Sequence, residues 1–160
     1  GYQGLLDLSA EFGQELGNGV KGQAVLFDYD AGIAPQIFTN GLHIIPHNNA
    51  TVAVGSTSER YYDAPTATDE KLEKLITQAR LDCPQLENAG VISRWAGVRP
   101  RAKSRAPMLG AYPDRPDHFI ANGGFKIGFG MAPKVGHVMA DLLLEGKDKI
   151  PEAFRVSANF

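Results

Sequence analysis

Apolar residues recur at helical spacing near the start of the chain and again in its middle. Residues 4–16 place five leucine and phenylalanine side chains among polar positions, and a Gly-Asn-Gly run then ends the pattern. Residues 66–82 carry apolar side chains at i, i+3, i+4 and i+7, with Thr68 as the expected N-cap and Pro84 beyond the end. The pattern predicts a short amphipathic helix and a longer one that crosses one face of a sheet.

A glycine-rich stretch precedes a third helical pattern. Residues 123–131 contain four glycines, and apolar residues at helical spacing follow them. We expect Pro133 at the first helical position, because its fixed φ suits that site, and Gly146 at the C-cap. The stretch therefore predicts a glycine loop that leads into a helix N-terminus, where unpaired amides and the helix dipole favour a ligand that becomes anionic.

Runs of β-forming residues, separated by Gly, Asn and Pro, fill most of the remaining chain. They comprise residues 20–29, 37–39, 42–46, 51–56, 91–99, 108–111 and 118–121. The short connections between most of them favour antiparallel pairing. Together with the helices, these strands predict an α+β fold dominated by an antiparallel or mixed sheet.

Composition and charge exclude several classes of protein. With 160 residues, of which 43% are hydrophobic, the chain can bury one core. Its 16 basic and 18 acidic residues are mixed along the sequence, so we expect no basic field and no nucleic-acid partner. The single Cys83 rules out an internal disulfide and fits a reducing compartment, with the cytoplasm as the working expectation. No apolar run approaches the roughly 20 residues that span a bilayer.

Candidate chemistry lies mainly at one arginine. Arg99 ends an apolar strand, where its guanidinium can grip a carboxylate through two parallel hydrogen bonds. By position alone, a structural ion pair is the favoured interpretation of this arginine. His47, His118 and His137 lack the spacing of metal ligands, so we expect no metal site.

Six motifs follow one another in a fixed order along nearly the whole chain. They are Lys21-Gly22-Gln23, LHIIPHNNATVAVGST at 42–57, WAGVRP at 95–100, APMLG at 106–110, ANGGFKIGFGMAPKVGHVMADLLLEG at 121–146 and AFRV at 153–156. This order resembles the C-terminal portion of the D-amino-acid oxidase and glycine oxidase superfamily. The resemblance implies FAD as the cofactor, although the dinucleotide-binding fingerprint G-x-G-x-x-G occurs nowhere after a predicted strand.

The resemblance also implies how the chain is organised. Residues 1–20 would be a helix returning from the FAD-binding domain, residues 21–100 a substrate-binding sheet domain with a crossing helix, and residues 101–160 the strand, loop and helix that complete the FAD-binding domain. The chain begins at Gly1, and none of its predicted strands is followed by the fingerprint. We therefore expect a fragment that needs the missing N-terminal FAD-binding part of the same protein and that alone turns over little or no substrate.

The site residues implied by the resemblance fall into two groups. Arg99 would bind the substrate carboxylate, Lys126 would supply a second cation near the substrate, and His43 would stand where a tyrosine approaches it in glycine oxidase. Backbone groups would hold the flavin ring at Gly97, Lys126, Ile127, Gly128, Phe129, Gly130 and Met131. A solvent-facing lysine and a packed strand histidine are the alternative interpretations of Lys126 and His43.

Four further positions bear on the substrate. Tyr61 and Tyr62 follow the GST turn, where the family often has a loop over the active site. The family often has an aspartate where this chain has Ser104, and a histidine where it has Gly124. These departures leave the substrate open and affect the flavin cradle less.

The implied activity is oxidation of the C–N bond of an amino acid or N-substituted glycine by hydride transfer to FAD. The partners would be an amino-acid or amine substrate with a carboxylate, and the motifs leave open oxygen or a quinone as electron acceptor and a homo-oligomer. An alternative is a stand-alone carboxylate-binding or interaction module without redox activity. A third, an oxidase module acting on modified tRNA, is disfavoured because the sequence shows no basic face.

Overall fold

Three helices and seven strands make up the computed structural model, which describes residues 1–160. They are α1 (Tyr2–Glu11), β1 (Gly17–Asp28), β2 (Ile37–Thr39), β3 (Leu42–His47), β4 (Thr51–Gly55), α2 (Glu70–Asp82), β5 (Gly90–Ala102), β6 (Met108–Ala111), β7 (Phe119–Asn122) and α3 (Gly128–Glu145). Short 3-10 turns cover residues 84–86, 125–127, 152–154 and 156–159. The mixed α+β class with antiparallel sheets is confirmed.

The chain divides into two units, which we call unit 1 (residues 1–20 and 99–160) and unit 2 (residues 21–98). The boundaries fall inside β1 and β5, the two long strands, so each of these strands contributes residues to both units. The functional labels that the sequence attached to residues 1–20, 21–100 and 101–160 stay predictions.

A five-stranded sheet with the order β2-β3-β4-β1-β5 is the framework of unit 2. The β2–β3, β3–β4 and β4–β1 pairs are antiparallel, as the tight turns predicted. Burial alternates along β3, where Leu42 and Ile44 are buried while His43 and Ile45 are exposed. One face of this sheet is therefore packed and the other is open.

Helix α2 covers the packed face because its apolar stripe matches the sheet. Leu72, Leu75, Ile76 and Ala79 join one core with Val25, Phe27, Val52 and Val54. The prediction that Thr68 is the N-cap was wrong, because the helix begins at Glu70 and its N-cap is Asp69. The Asp69 carboxylate accepts the Lys71 N–H at 2.9 Å, a bond that satisfies one of the unpaired amides of the first turn.

Unit 1 is built around the β6–β7 hairpin and the returning ends of the chain. Its first core joins Leu5, Leu16, Ala102, Met108, Ile120 and Val156, and a smaller one joins Leu109, Val138 and Ile150. Helix α1 is shorter than the predicted 4–16 pattern because Gly13 turns the chain at a φ of 64°. The C-terminal tail docks on this unit, since Ile150, Val156 and Asn159 are buried.

Helix α3 differs from the sequence prediction at its start. It begins at Gly128, and Pro133 lies inside the helix, not at its first position. Pro133 lies beyond the first turn, so its missing N–H removes one i→i−4 hydrogen bond from the helix. The predicted C-cap is confirmed, because Gly146 adopts the left-handed conformation with a φ of 64°. No helix of the protein combines the length and the apolarity needed to cross a membrane.

Candidate functional site

The glycine-rich segment forms the first turns of a helix rather than an open loop. A 3-10 turn at Phe125–Ile127 runs directly into α3, and no side chain caps the first-turn amides. An uncapped N-terminus keeps unpaired N–H groups and a partial positive charge at its end. Four of the predicted cradle residues, Gly128 to Met131, are therefore the first turn of this helix.

A groove of about 310 Å³ lies against these turns within unit 1. Glycine, alanine and other apolar residues line it: Pro107, Leu109, Ala121, Asn122, Gly124, Gly128, Met131, Ala132, Val135 and Gly136. A Cβ on Gly124 would lie 3.1 Å from the Cα of Gly128, so a larger residue there would crowd the turn. Small side chains beside helix-start amides leave room for the edge of a flat, polar ring. These residues are therefore consistent with the flavin-binding segment expected from the sequence.

Arg99 stands near the end of β5 and is half-buried. Burial lowers the pKa of its guanidinium, which nonetheless stays protonated at neutral pH because arginine starts so high. A partly desolvated guanidinium binds an anion more strongly than one in open water, since its charge is less screened. The position thus suits the carboxylate clamp predicted for Arg99.

The end of β5 is fastened to the glycine-rich segment. Arg101 forms an isolated antiparallel bridge with Gly124. At Gly123, where φ is 74°, a Cβ would lie 2.7 Å from the Cβ of Ala102, so only glycine allows the two backbones to approach this closely. The strand end that carries Arg99 and the segment that carries Lys126 are joined by this contact.

Lys126 is exposed, and its ammonium lies 5.8 Å from the centre of the Phe125 ring. The guanidinium of Arg101 approaches the same ring at 5.7 Å. Phe125 itself has a φ of 46°, in the left-handed region that bulky residues seldom occupy. Arg101 was missed at the sequence level, although its spacing of two residues from Arg99 on a strand was the signal that could have found it.

His43 and Gly97 belong to unit 2. His43 lies on the open face of the sheet opposite Gly55, where its Nδ1 is 2.8 Å from the amide of Gln36 and its ring contacts Phe38 at 4.6 Å. Gly97 has no atom within 4 Å of where a Cβ would lie, so space beside the strand is open there. The proposed roles of both residues stay predictions.

The remaining candidates are at the surface or serve the fold. Tyr61 is 89% exposed, so it does not pack in a turn. The side chain of Cys83, at the end of α2, contacts Gln85. His47, His118 and His137 are all exposed, and no group of three or more His, Cys, Asp or Glu side chains is placed to hold a metal ion.

The largest cavity, of about 520 Å³, lies elsewhere in unit 1. It is lined mainly by apolar residues, and its charged residues Asp148 and Arg155 pair with each other at 2.6 Å. Because that pair is satisfied internally, the cavity offers no free charge to a ligand. Two cations of unit 1 without an ion-pair partner, Arg101 and Lys126, lie instead at the glycine-rich segment.

Comparison with known proteins shows the family of the chain. The sequence profile of the family described as FAD dependent oxidoreductase (DAO) matches residues 4–142. The chain belongs to this family. Members of the family use FAD, which confirms the cofactor, and the relatives below confirm the glycine-oxidase-like resemblance.

Two glycine oxidases of Pseudomonas illustrate the similarity of this family member in sequence. The enzyme of Pseudomonas putida is 33% identical over 125 residues, covering 78% of this chain and 34% of the relative. The enzyme of Pseudomonas aeruginosa is 30% identical over 132 residues, covering 82% and 36%. The chain thus spans about one third of the length of the curated relatives it matches.

A crystal structure of glycine oxidase from Geobacillus kaustophilus shares the fold. The TM-score is 0.80 at 26% identity, and the match covers 93% of this chain and 41% of that one. The α+β architecture is therefore that of the larger, glycine-oxidase-like members of the family.

Proposed function

We propose that this chain is the part of a flavoprotein that binds the substrate carboxylate and the flavin ring. The complete flavoprotein would oxidise the C–N bond of an amino acid or an N-substituted glycine. The observation that carries the proposal is the bridge between Arg101 and Gly124. It joins the strand end with Arg99 to the uncapped start of α3, so one unit supplies both a cation for a carboxylate and a positive edge for a ring. The printed names of the relatives, glycine oxidases, support a small amino-acid substrate.

Arg99 would position the substrate. A guanidinium that holds a carboxylate through two parallel hydrogen bonds fixes the position and the rotation of the adjacent α-carbon. Such positioning removes translational and rotational freedom before the reaction and accounts for a large part of the barrier reduction in two-partner reactions. A substrate amine that arrives deprotonated needs no dedicated general base, and its lone pair assists loss of hydride from the α-carbon.

The start of α3 would stabilise the negative charge that the reaction develops. FAD, when bound, supplies the two-electron acceptor that takes a hydride from the α-carbon. No side chain caps the first-turn amides at Gly128, Phe129 and Gly130, and Lys126, just before them, has no carboxylate partner. Preorganised donors of this kind act on developing charge without reorganising. The oxidised substrate, an imine, then adds water and splits into an oxo acid and an amine.

The rest of the flavoprotein would bind the remainder of the cofactor. The chain matches about one third of the length of its relatives. We propose that an N-terminal part of the same protein holds the adenosine and pyrophosphate, while this chain contacts the ring and the substrate. The labels substrate-binding for the sheet of unit 2 and FAD-completing for residues 101–160 belong to the same proposal.

Substitution of Arg99 in the complete flavoprotein tests the clamp. Arg99→Lys keeps the charge but loses the two-pronged geometry, and we expect it to lower kcat/KM for an amino acid about 10-fold, with Arg99→Ala lowering it 100-fold or more, mainly through KM. Arg60→Ala, at an exposed arginine of unit 2 that forms no ion pair, is the matched control. Near-normal kinetics of Arg99→Ala would refute the clamp, and carboxylate binding without oxidation of any amine would favour the stand-alone binding module.

A further inference from the structure

Arg101 repeats the position of Arg99 one step further along the strand. The two arginines are separated by Pro100 within β5, and side chains two residues apart on a strand point to the same face, about 7 Å apart. Residue 101 is also the point at which β5 meets Gly124. Two guanidinium groups therefore emerge side by side next to the glycine-rich segment.

Arg101 and Lys126 form an uncompensated pair of cations around one ring. Their charged groups lie 5.7 and 5.8 Å from the centre of Phe125, and neither has a carboxylate within 4.0 Å. The ring face attracts each cation, but two positive charges near one ring also repel each other. An anion bound beside Arg101 and Lys126 would reduce the repulsion between these two charges.

Several acidic residues of unit 1 pair with other cations. Glu11 pairs with Arg115, Asp141 with Lys149, Glu145 with Lys147, and Asp148 and Glu152 with Arg155. Arg101 and Lys126 are not among these pairs, so both remain open to an external anion. The φ of 46° at Phe125 also favours a functional site here. A bulky residue is held in the left-handed region only where the surrounding structure enforces it.

We propose that Arg101, backed by Phe125 and Lys126, is a second anion-binding subsite, and that the substrate is an amino acid or N-substituted glycine with two carboxylates. This inference rests on the proposed function, since Arg99 takes the first carboxylate. Arg101 binds the second through its planar fork, and Lys126, which contacts the same ring, adds positive potential. A single carboxylate engages one guanidinium and leaves the other without a counter-ion, which a dicarboxylate avoids.

A matched pair of substrates tests the subsite in the complete flavoprotein. Iminodiacetate and N-ethylglycine have nearly the same size and the same reacting carbon beside the α-carboxylate, but only the first has a second carboxylate. We expect the wild type to prefer iminodiacetate at least 10-fold in kcat/KM, and Arg101→Met to remove this preference while changing kcat/KM for N-ethylglycine less than threefold. Lys103→Met, which removes an exposed, unpaired cation two residues away, should leave the ratio unchanged.

A binding experiment separates failure of the subsite from failure of the proposed function. Oxydiacetate and ethoxyacetate carry oxygen in place of the amine and are not oxidised as amines, so their dissociation constants report on the subsite alone. A 10-fold preference for oxydiacetate that Arg101→Met abolishes supports the subsite even if no amine is oxidised. Equal affinities in the wild type, a preference unchanged by Arg101→Met, or a loss of FAD affinity in that variant with substrate discrimination intact would each overturn the proposal.

Discussion

Two groups of charged residues, one in each unit, differ in how far they are compensated. In unit 2, Lys21, Glu59, Asp69 and Lys71 compensate one another around the buried amide of Gln23. In unit 1, five cations between residues 101 and 134 have no carboxylate within 4.0 Å: Arg101, Lys103, Arg105, Lys126 and Lys134. Charges that serve the fold find their partners inside the chain. Charges left without partners beside a glycine-rich groove are available to a ligand.

Gln23 is the centre of the compensated network, which we call the unit 2 polar network (Lys21, Gln23, Thr57, Glu59, Asp69 and Lys71). Its amide nitrogen donates to Glu59 at 2.9 Å and to Asp69 at 2.8 Å, and its oxygen accepts the Asp69 N–H at 2.9 Å. Glu59 precedes and Asp69 follows the exposed segment with Tyr61. One fully buried side chain therefore fixes both ends of this loop.

Removal of the central amide should have the largest effect on stability. Gln23→Leu keeps the volume but leaves two carboxylates and one amide N–H without their partner, and we expect a loss of about 3 kcal/mol in the free energy of unfolding. Trp95, the single tryptophan, lies in unit 2, so urea unfolding followed by its fluorescence reports on this unit. Gln36→Leu, at an exposed glutamine, is the control and should change stability by less than about 0.5 kcal/mol. A loss below 1 kcal/mol for Gln23→Leu would mean that water replaces the network readily.

Acid should also weaken the unit 2 polar network, and the resulting loss in the free energy of unfolding should be smaller than that caused by Gln23→Leu. Burial raises the pKa of the Glu59 carboxyl, but hydrogen bonds from Lys71, Thr57 and Gln23 outweigh it and hold the pKa below its usual value. The pKa of Asp69 is also lowered, chiefly by the hydrogen bond from Gln23. A carboxyl with a depressed folded-state pKa stabilises the fold fully above its unfolded-state pKa of about 4, and this stabilisation disappears as pH falls through the folded-state value.

Unfolding by urea at several pH values checks this sign. The free energy of unfolding should change little at the pH values where Glu59 is ionised, and it should fall progressively below about pH 4.5. Glu59→Gln should be less stable near neutral pH and show a shallower fall in acid. Glu87→Gln, at an exposed glutamate without an ion pair, should follow the wild type. An equally steep acid limb in Glu59→Gln would place the responsible carboxyl groups elsewhere.

The sequence predicted the elements whose cause is local. The periodicity of Leu72, Leu75, Ile76 and Ala79 located α2, and the alternation along residues 42–46 located β3. Gly146 was predicted at the end of α3 because a left-handed cap needs glycine. These features depend on neighbouring residues and not on the rest of the fold.

The misplaced features depend on contacts distant in sequence. Asp69, not Thr68, caps α2, and Asp69 is also held by Gln23, 46 residues earlier. Helix α3 begins five residues before Pro133, where the Gly123–Gly124 backbone packs on Ala102 and Arg101. Arg101 was overlooked because its lack of a partner is a property of the folded surface. The family motifs predicted roles for Arg99 and for the cradle residues, which stay predictions, and the surrounding charges needed the structure.

Salt should affect the unpaired cations of unit 1 more than the compensated charges of the unit 2 polar network. We expect this effect to be smaller than those of Gln23→Leu and of acid. The Debye length falls from about 30 Å at 0.01 M to about 3 Å at 1 M, which screens exposed charges far more than buried ones. We expect the affinity of the complete flavoprotein for oxydiacetate to fall about 3- to 10-fold over this range, because Arg101 and Lys126 are accessible to ions. The stability cost of Gln23→Leu should change by less than about 0.5 kcal/mol, since Gln23 and its bond to Glu59 are buried. A cost that shrinks in salt as strongly as the affinity does would show that the unit 2 polar network is open to solvent, and the contrast between the units would then be one of geometry alone.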